Sequence, residues 1–275
     1  MSTKQPEIVG VVNITEDSFS DGCLYLDPQD ALAQARRLRS EGADVIELGP
    51  ASSHPDAARV TAEEERRRLA PVLEQLVSDG VAVSVDSFLP ETQRFALTEG
   101  ATYLNDIQGF PDPSHYAWLA AADCGLIVMH SVQASGPATF VTTDSSVILP
   151  QVERFFDDRL HALTAAGISR ERLIIDPGLG YFLGSNPEPS LAVMGALARL
   201  KERFGLPVLV SPSRKSFLRN VTGRAVSEIG PASLGAEIYA ALHGVDYIRT
   251  HDVGALRDAL NVISAIADHA GHDQS

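Results

Sequence analysis

The chain has 275 residues, 44% of them hydrophobic, and a formal net charge of −14. So acidic a balance excludes a nucleic-acid footprint or an anionic-membrane surface, and any anionic ligand must be held by a local cluster of cations. Two cysteines without C-x-x-C spacing rule out a disulfide framework and a thiolate metal site.

Short apolar runs rich in Val and Ile alternate with longer amphipathic stretches. The first run, 8–14, carries Asn13 near its end, and a helix is expected over 28–41, stopped by Gly42. The run 45–49 leads to a helix over 61–79, with Thr61 as its start and Gly80 at its end. Run 81–86 ends in Asp86 and precedes a helix at 90–99; run 103–106 ends in Asn105-Asp106 and precedes one at 113–122. Run 126–130 ends in His130, and 132–146 reads as a loop before a helix at 146–166. Run 173–177 carries Asp176, followed by the unusually apolar Leu179-Gly180-Tyr181-Phe182 and a helix at 188–204. Run 207–211 leads into Ser213-Arg214-Lys215-Ser216, with helices at 214–222 and 231–243. Run 247–251 carries Arg249 and His251, and a last helix at 253–268 leaves a frayed tail from about 269. Eight β/α units predict an α/β chain forming one (β/α)8 TIM barrel over 1–275, with a doubly wound sheet as the weaker alternative. The polar start lacks a signal-peptide or membrane pattern, so a cytoplasmic location is expected.

Barrel chemistry sits at the carboxyl ends of the strands. Asp86, Asn105 and Asp176 form a set of acceptors and an amide suited to the edge of an aminopyrimidinone ring. Lys215, Arg249 and His251, with Asn13, form the one obvious cationic group, suited to a diphosphate held directly or through Mg²⁺. A heterocycle at one end and a diphosphate at the other is the expected ligand.

These motifs match a known family. The stretch 13–22, Asn-Ile-Thr-Glu-Asp-Ser-Phe-Ser-Asp-Gly, resembles the first-loop signature of dihydropteroate synthases. Val85-Asp86-Ser87, Asn105-Asp106-Ile107, Val128-Met129-His130, Asp176-Pro177-Gly178, Ser213-Arg214-Lys215-Ser216 and Arg249-Thr250-His251 follow in order. The resemblance implies a homodimeric barrel joining 6-hydroxymethyl-7,8-dihydropterin diphosphate to p-aminobenzoate. It implies Asn13 as ligand of Mg²⁺ and the diphosphate, and Arg249 and His251 on the diphosphate. Asp86, Asn105, Met129 and Asp176 would hold the pterin, with Lys215 over the ring and Ser53 nearby. Ser216 would receive the p-aminobenzoate carboxylate, with Ser213, Phe182, Pro55 and Phe19 completing that end.

Departures from the family pattern are informative. Ala51-Ser52-Ser53-His54-Pro55 replaces the usual Glu-Ser-Thr-Arg-Pro, putting a titratable ring where a permanent cation stands. Cys23 takes the place of a glycine. Gly180-Tyr181-Phe182-Leu183-Gly184 replaces a shorter segment ending in Lys, and resembles the sulfonamide-insensitive branch. Other features read as structural: Glu63-Glu64-Glu65-Arg66-Arg67-Arg68 as a solvated helix face, and His130 equally well as a core histidine or a substrate contact. A corrinoid methyltransferase barrel has no use for the cation cluster. A metal-dependent hydrolase needs a His-x-His where Val12 and Ile14 flank Asn13. A catalytically inactive binding module is opposed by the presence of Asn13, Lys215 and His251 together.

Overall fold

Runs of Val, Ile and Leu buried on both faces form parallel strands because crossover helices cover the outside and side chains fill the inside. A computed structural model describes residues 5–15, 27–133 and 136–272; Asp17, Phe19, Asp21 and Cys23 lie outside the described residues. Eight strands are present: β1 (Glu7–Asn13), β2 (Val45–Gly49), β3 (Val83–Asp86), β4 (Tyr103–Asp106), β5 (Gly125–Met129), β6 (Leu173–Asp176), β7 (Leu209–Val210) and β8 (Tyr247–Thr250). Around them run α1 (Pro28–Ser40), α2 (Ala62–Ser78), α3 (Pro90–Thr98), α4 (Tyr116–Ala121), α5 (Ser145–Ala165), α6 (Glu188–Gly195), α7 (Leu197–Phe204), α8 (Ser216–Thr222), α9 (Gly230–Leu242) and α10 (Val253–His272). The strand order is β6-β5-β4-β3-β2-β1-β8-β7, all neighbours parallel. The ring closes where Ile175 pairs with Val208 and its N–H donates to Pro207 O at 2.9 Å.

Boundaries differ from expectation at several places, four of which have a clear local cause. Strand β7 is shorter than 207–211: the Val208 N–H is taken by Asp246 Oδ2, and its carbonyl accepts from Asp246 and Tyr247. The expected helix at 188–204 divides at Ala196 into α6 and α7. Helix α8 starts at Ser216 rather than 214, because Arg214 is left-handed at φ 57° and Lys215 is extended. Helix α10 continues to His272, beyond the expected 268.

The core has two layers. Leu38, Ile46, Leu69, Leu73, Leu104, Leu126 and Phe156 are among the fully buried side chains packed between sheet and helices. Val9, Val45, Ile127, Ile174 and Leu209 form a separate cluster that fills the floor of the barrel. Polar side chains take over above that floor, which places the chemistry at the upper mouth. No described helix is long and apolar enough to cross a membrane.

The sharp exit from β6 depends on Gly178, at φ +72°, where an added Cβ would sit 2.3 Å from the His130 carbonyl oxygen. Gly178→Ala is expected to lose roughly 3 kcal/mol or more, through strain plus displaced backbone. Gly80→Ala, at φ +73° in open space, should lose only about 1–2 kcal/mol. Urea unfolding of the two variants checks the difference.

Candidate active site

Strand register assembles the mouth. Asn13 lies beside Gly49, Asp86 beside Asn105, and Met129 beside Asp176. A Cβ on residue 49 would stand 3.0 Å from Asn13 Oδ1, so the glycine leaves room for that side chain. A cavity of about 350 Å³ opens here, lined by Asn13, Asp86, Asn105, Met129 and Asp176 and, from loops and β8, by Lys215, Arg249 and His251. Ser53, Phe182, Ser213 and Ser216 also line it, whereas Pro55 does not and Phe19 lies outside the described residues.

One functional residue escaped the sequence reading. Glu47, in the middle of β2, is fully buried, and its carboxyl accepts from Ser84 Oγ and from Asn105 Nδ2, each at 3.0 Å. Its other oxygen pairs with Arg249 Nε. Arg249 also reaches Asp86 Oδ2 and Ser211 Oγ, each at 3.4 Å. Because Glu47 takes an amide hydrogen of Asn105, the Asn105 Oδ1 is turned to the cavity as an acceptor. Among the described residues, that buried oxygen and Ser216 Oγ have no hydrogen-bond partner. With Thr15 Oγ1 and Arg219 Nε, four residues lining one cavity carry orphan polar atoms, which is what an absent polar ligand leaves behind. The available signal was an acid two residues before the end of an otherwise apolar run, since buried charge requires a partner.

Three carboxyls, Glu47, Asp86 and Asp176, gather around Lys215 and Arg249, while Arg214 and Arg219 also line the cavity. Burial raises the Asp86 carboxyl, and Glu47 adds to this; Arg249 and Lys215 oppose it. Burial lifts Asp176 to about 6, partly offset by the Gly178 N–H at 2.8 Å and by Lys215 and Arg249. Burial likewise brings Lys215 down to about 8, with Arg249 lowering it further and the three carboxyls resisting. Burial together with Arg214, Arg249 and Lys215 holds His251 well below its ordinary range, so its ring is neutral. The His251 Nδ1 lies 3.0 Å from Ser213 Oγ. The Ser213 hydroxyl thus belongs to the His251 side of the cavity, although the resemblance groups it with the p-aminobenzoate residues.

The two aromatic rings of the β6 loop part company. Phe182 is buried with Met129, Ile107 and Ala138, and the Lys215 ammonium lies 5.2 Å above its ring. Tyr181, half-buried and also lining the cavity, stands edge-on to Phe140 (5.2 Å) and His54 (5.5 Å), and its hydroxyl accepts from Arg219 at 3.1 Å. The rim therefore joins three loops, and Ala138 N–H donates to Ser53 O at 3.3 Å across it.

Residues 63–68 are not simply a solvated face. Glu65 and Arg68 are buried. Arg68 donates to Pro50 O at 2.9 Å and Glu64 at 2.7 Å, while Glu65 accepts from Ser87 Oγ at 2.6 Å. Helix α2 thereby braces the loops after β2 and β3 from beneath. His130 is a core residue: it is buried, pushed down to about 4 by burial, and bonded through Nδ1 to Pro177 O.

Comparison with known proteins agrees with this geometry. Residues 9–251 match the family model described as pterin binding enzyme. The chain is 54% identical over 263 residues to dihydropteroate synthase type-2 of Escherichia coli, covering 96% of this chain and 97% of that protein. It is 49% identical over 260 residues to dihydropteroate synthase type-3 of the same organism, covering 94% and 99%. The Xanthomonas albilineans dihydropteroate synthase structure with 4-aminobenzoic acid superposes with a TM-score of 0.87 at 36% identity, covering 97% of this chain and 95% of that one.

The raised Asp176 carboxyl means that the folded state binds its proton more tightly than the unfolded state does. Its stabilising contribution is complete below pH 3.8 and is lost as pH rises through about 6. Asp176→Asn removes the ionisation penalty, so it is expected to gain up to about 3 kcal/mol at pH 8 and progressively less toward pH 4. Thermal unfolding across that range checks the sign, and a constant difference would contradict it.

Proposed function

The chain belongs to the dihydropteroate synthase family of pterin-binding enzymes, and we propose how its own residues join 6-hydroxymethyl-7,8-dihydropterin diphosphate to p-aminobenzoate. One observation carries the assignment of roles: carboxyls, an acceptor amide and cations from six different strand ends or loops converge on a single cavity. Asp86, Asp176 and the outward-turned Asn105 Oδ1 accept from the donor edge of the pterin, with Met129 against its face. Arg249 and His251 take the diphosphate end, Lys215 lies over the ring beside Phe182, and Ser216, with its partnerless hydroxyl, receives the carboxylate of p-aminobenzoate.

As the C–O bond breaks, negative charge gathers on the leaving diphosphate, where Lys215 and Arg249 oppose it inside a poorly hydrated pocket. Positive charge left on the pterin is stabilised by Asp86 and Asp176 in their ionised forms. The arylamine is a weak neutral nucleophile, so the walls of the cavity contribute mainly by positioning it. Mg²⁺ suits the same site. Among the described residues no three His, Cys, Asp or Glu side chains gather as a cage, and Asn13 offers one amide oxygen on the cavity wall. Mg²⁺ keeps several waters and needs only one or two protein oxygens beside phosphate. Bound there with the substrate, it would supply positive charge to the diphosphate.

Sulfonamide insensitivity belongs to the same reading. Phe182 fills the space between Met129 and Lys215, narrowing the end of the cavity where a sulfonamide projects more bulk than a flat carboxylate. Specificity then comes from a clash that the natural substrate avoids. A homodimer is supported by exposed Tyr239 and Leu242 on α9 and Val262 and Ile266 on α10, two helices that pack side by side. A cytoplasmic setting suits the unpaired, buried Cys124 thiol.

Incubation with the dihydropterin diphosphate, Mg²⁺ and p-aminobenzoate is expected to yield dihydropteroate and one equivalent of pyrophosphate. The kcat/KM profile should rise between about pH 6 and about pH 7 as Asp176 and Asp86 ionise and fall through about pH 8 with Lys215. Lys215→Arg should move the alkaline limb upward while leaving the acid limb in place. Absence of turnover, or an alkaline limb unmoved by this substitution, sinks the assignment. Deleting Phe182 with Gly184 should tighten sulfamethoxazole inhibition by roughly 10 to 200-fold; unchanged inhibition removes Phe182 from the explanation.

A further inference from the structure

Arg219 on α8 lines the same cavity as Lys215 and Arg249 but, unlike them, has no task in the mechanism above. Arg249 is clamped between Glu47 and Asp86, and Lys215 lies over the Phe182 ring. Among the described residues no carboxylate pairs with Arg219. The side chain's hydrogen-bond partner there is a neutral hydroxyl, Tyr181 Oη at 3.1 Å, and its Nε is buried without an acceptor. A guanidinium taken partly out of water with no counter-ion is a costly arrangement unless a ligand supplies one.

Its placement matches that of a second orphan. Ser216 and Arg219 stand three positions apart on α8, so they share one face of the helix, and both line the cavity. The loop after β6 covers the pair. A Cβ on Gly180 would stand 3.2 Å from Ser216 Oγ, and the next residue, Tyr181, holds Arg219. The Tyr181 ring is itself set edge-on against Phe140 and His54. Asn220 adds another tie between helix and loop, donating from Nδ2 to Ser185 O at 3.1 Å.

We propose that Arg219 determines specificity for an anionic arylamine: its guanidinium, fixed by Tyr181, pairs with the p-aminobenzoate carboxylate that Ser216 receives. The inference rests on the assignment of that carboxylate to Ser216. A carboxylate can accept from the serine hydroxyl and from the guanidinium together, and the charge-assisted bond to arginine is one that a neutral acceptor does not match. Tyr181 takes one of the five guanidinium hydrogens, which steadies the side chain and leaves donors, Nε–H among them, for the substrate. Tyr181 is thus a positioning residue that acts through Arg219. An ion pair at the end of the arylamine remote from its reacting nitrogen suits a reaction in which the amine needs orientation more than activation.

4-Aminobenzamide has nearly the shape of p-aminobenzoate without its charge, so the ratio of kcat/KM for the two amines isolates the ion pair. The unmodified protein should prefer the acid. In Arg219→Gln that preference should shrink roughly 10 to 100-fold, through a higher KM for p-aminobenzoate, with kcat and the KM for the dihydropterin diphosphate little changed. Arg219→Lys, which keeps the charge without the planar fork, should restore part of it. Tyr181→Phe, which removes the acceptor and keeps the charge, should lower it roughly 2 to 10-fold. A side chain that merely ties α8 to the β6 loop would, on removal, impair both amines alike. A preference for the acid that survives undiminished in Arg219→Gln therefore overturns the proposal, and one undiminished in Tyr181→Phe removes Tyr181 from it. Failure of the unmodified protein to make dihydropteroate would instead overturn the assigned reaction, and this inference with it.

Discussion

The guanidinium of Arg249 is clamped in the barrel between Glu47 and Asp86, and the reading surface of the whole mouth depends on that clamp. Glu47 does not line the cavity, yet it fixes two groups that do. It takes Nε of Arg249, leaving the terminal nitrogens to Asp86 and Ser211, and it takes an amide hydrogen of Asn105, turning the oxygen outward. Removing one partner of so buried a pair generally costs about 3–5 kcal/mol, because the other is left charged and dry. The apolar floor of Val9, Val45, Ile127, Ile174 and Leu209 excludes water from below, which is why the clamp has no aqueous substitute.

Three carboxyls facing two principal cations leave the site electrostatically strained before a ligand arrives. The acids are raised and Lys215 is lowered, each first by burial. A ligand that brings ring donors to the acids and an anion to the cations supplies the missing counterparts of both. Stability and function are thus opposed at the same residues, as is common where a site is held ready for a charged partner.

Much of this was legible along the chain. Apolar runs that end in Asn13, Asp86, Asn105 and Asp176 gave both the barrel and the polar wall, because strand direction alone puts those ends at one mouth. Glu47 was less legible: its partner Arg249 lies 202 positions away, and no spacing rule links them. Glu65 and Arg68 share the i,i+3 spacing of a solvated face, and only the way α2 is turned against the loops separates them from their exposed neighbours. Tyr181 and Phe182 read as a pair, but they fall in a 3₁₀ turn over Gly180–Phe182, where successive side chains point about 120° apart. One ring goes to the rim and the other under Lys215.

Strain at Arg214 explains how neighbouring residues can serve different tasks. A left-handed non-glycine residue costs about 1–2 kcal/mol, and at φ 57° Arg214 is one of two among the described residues. Its N–H is held by Ser233 Oγ at 3.0 Å. This kink leaves the Ser213 hydroxyl against His251, whereas Lys215 lies over Phe182. The irregular backbone is what lets one short segment hold a hydroxyl against His251 and a cation over Phe182.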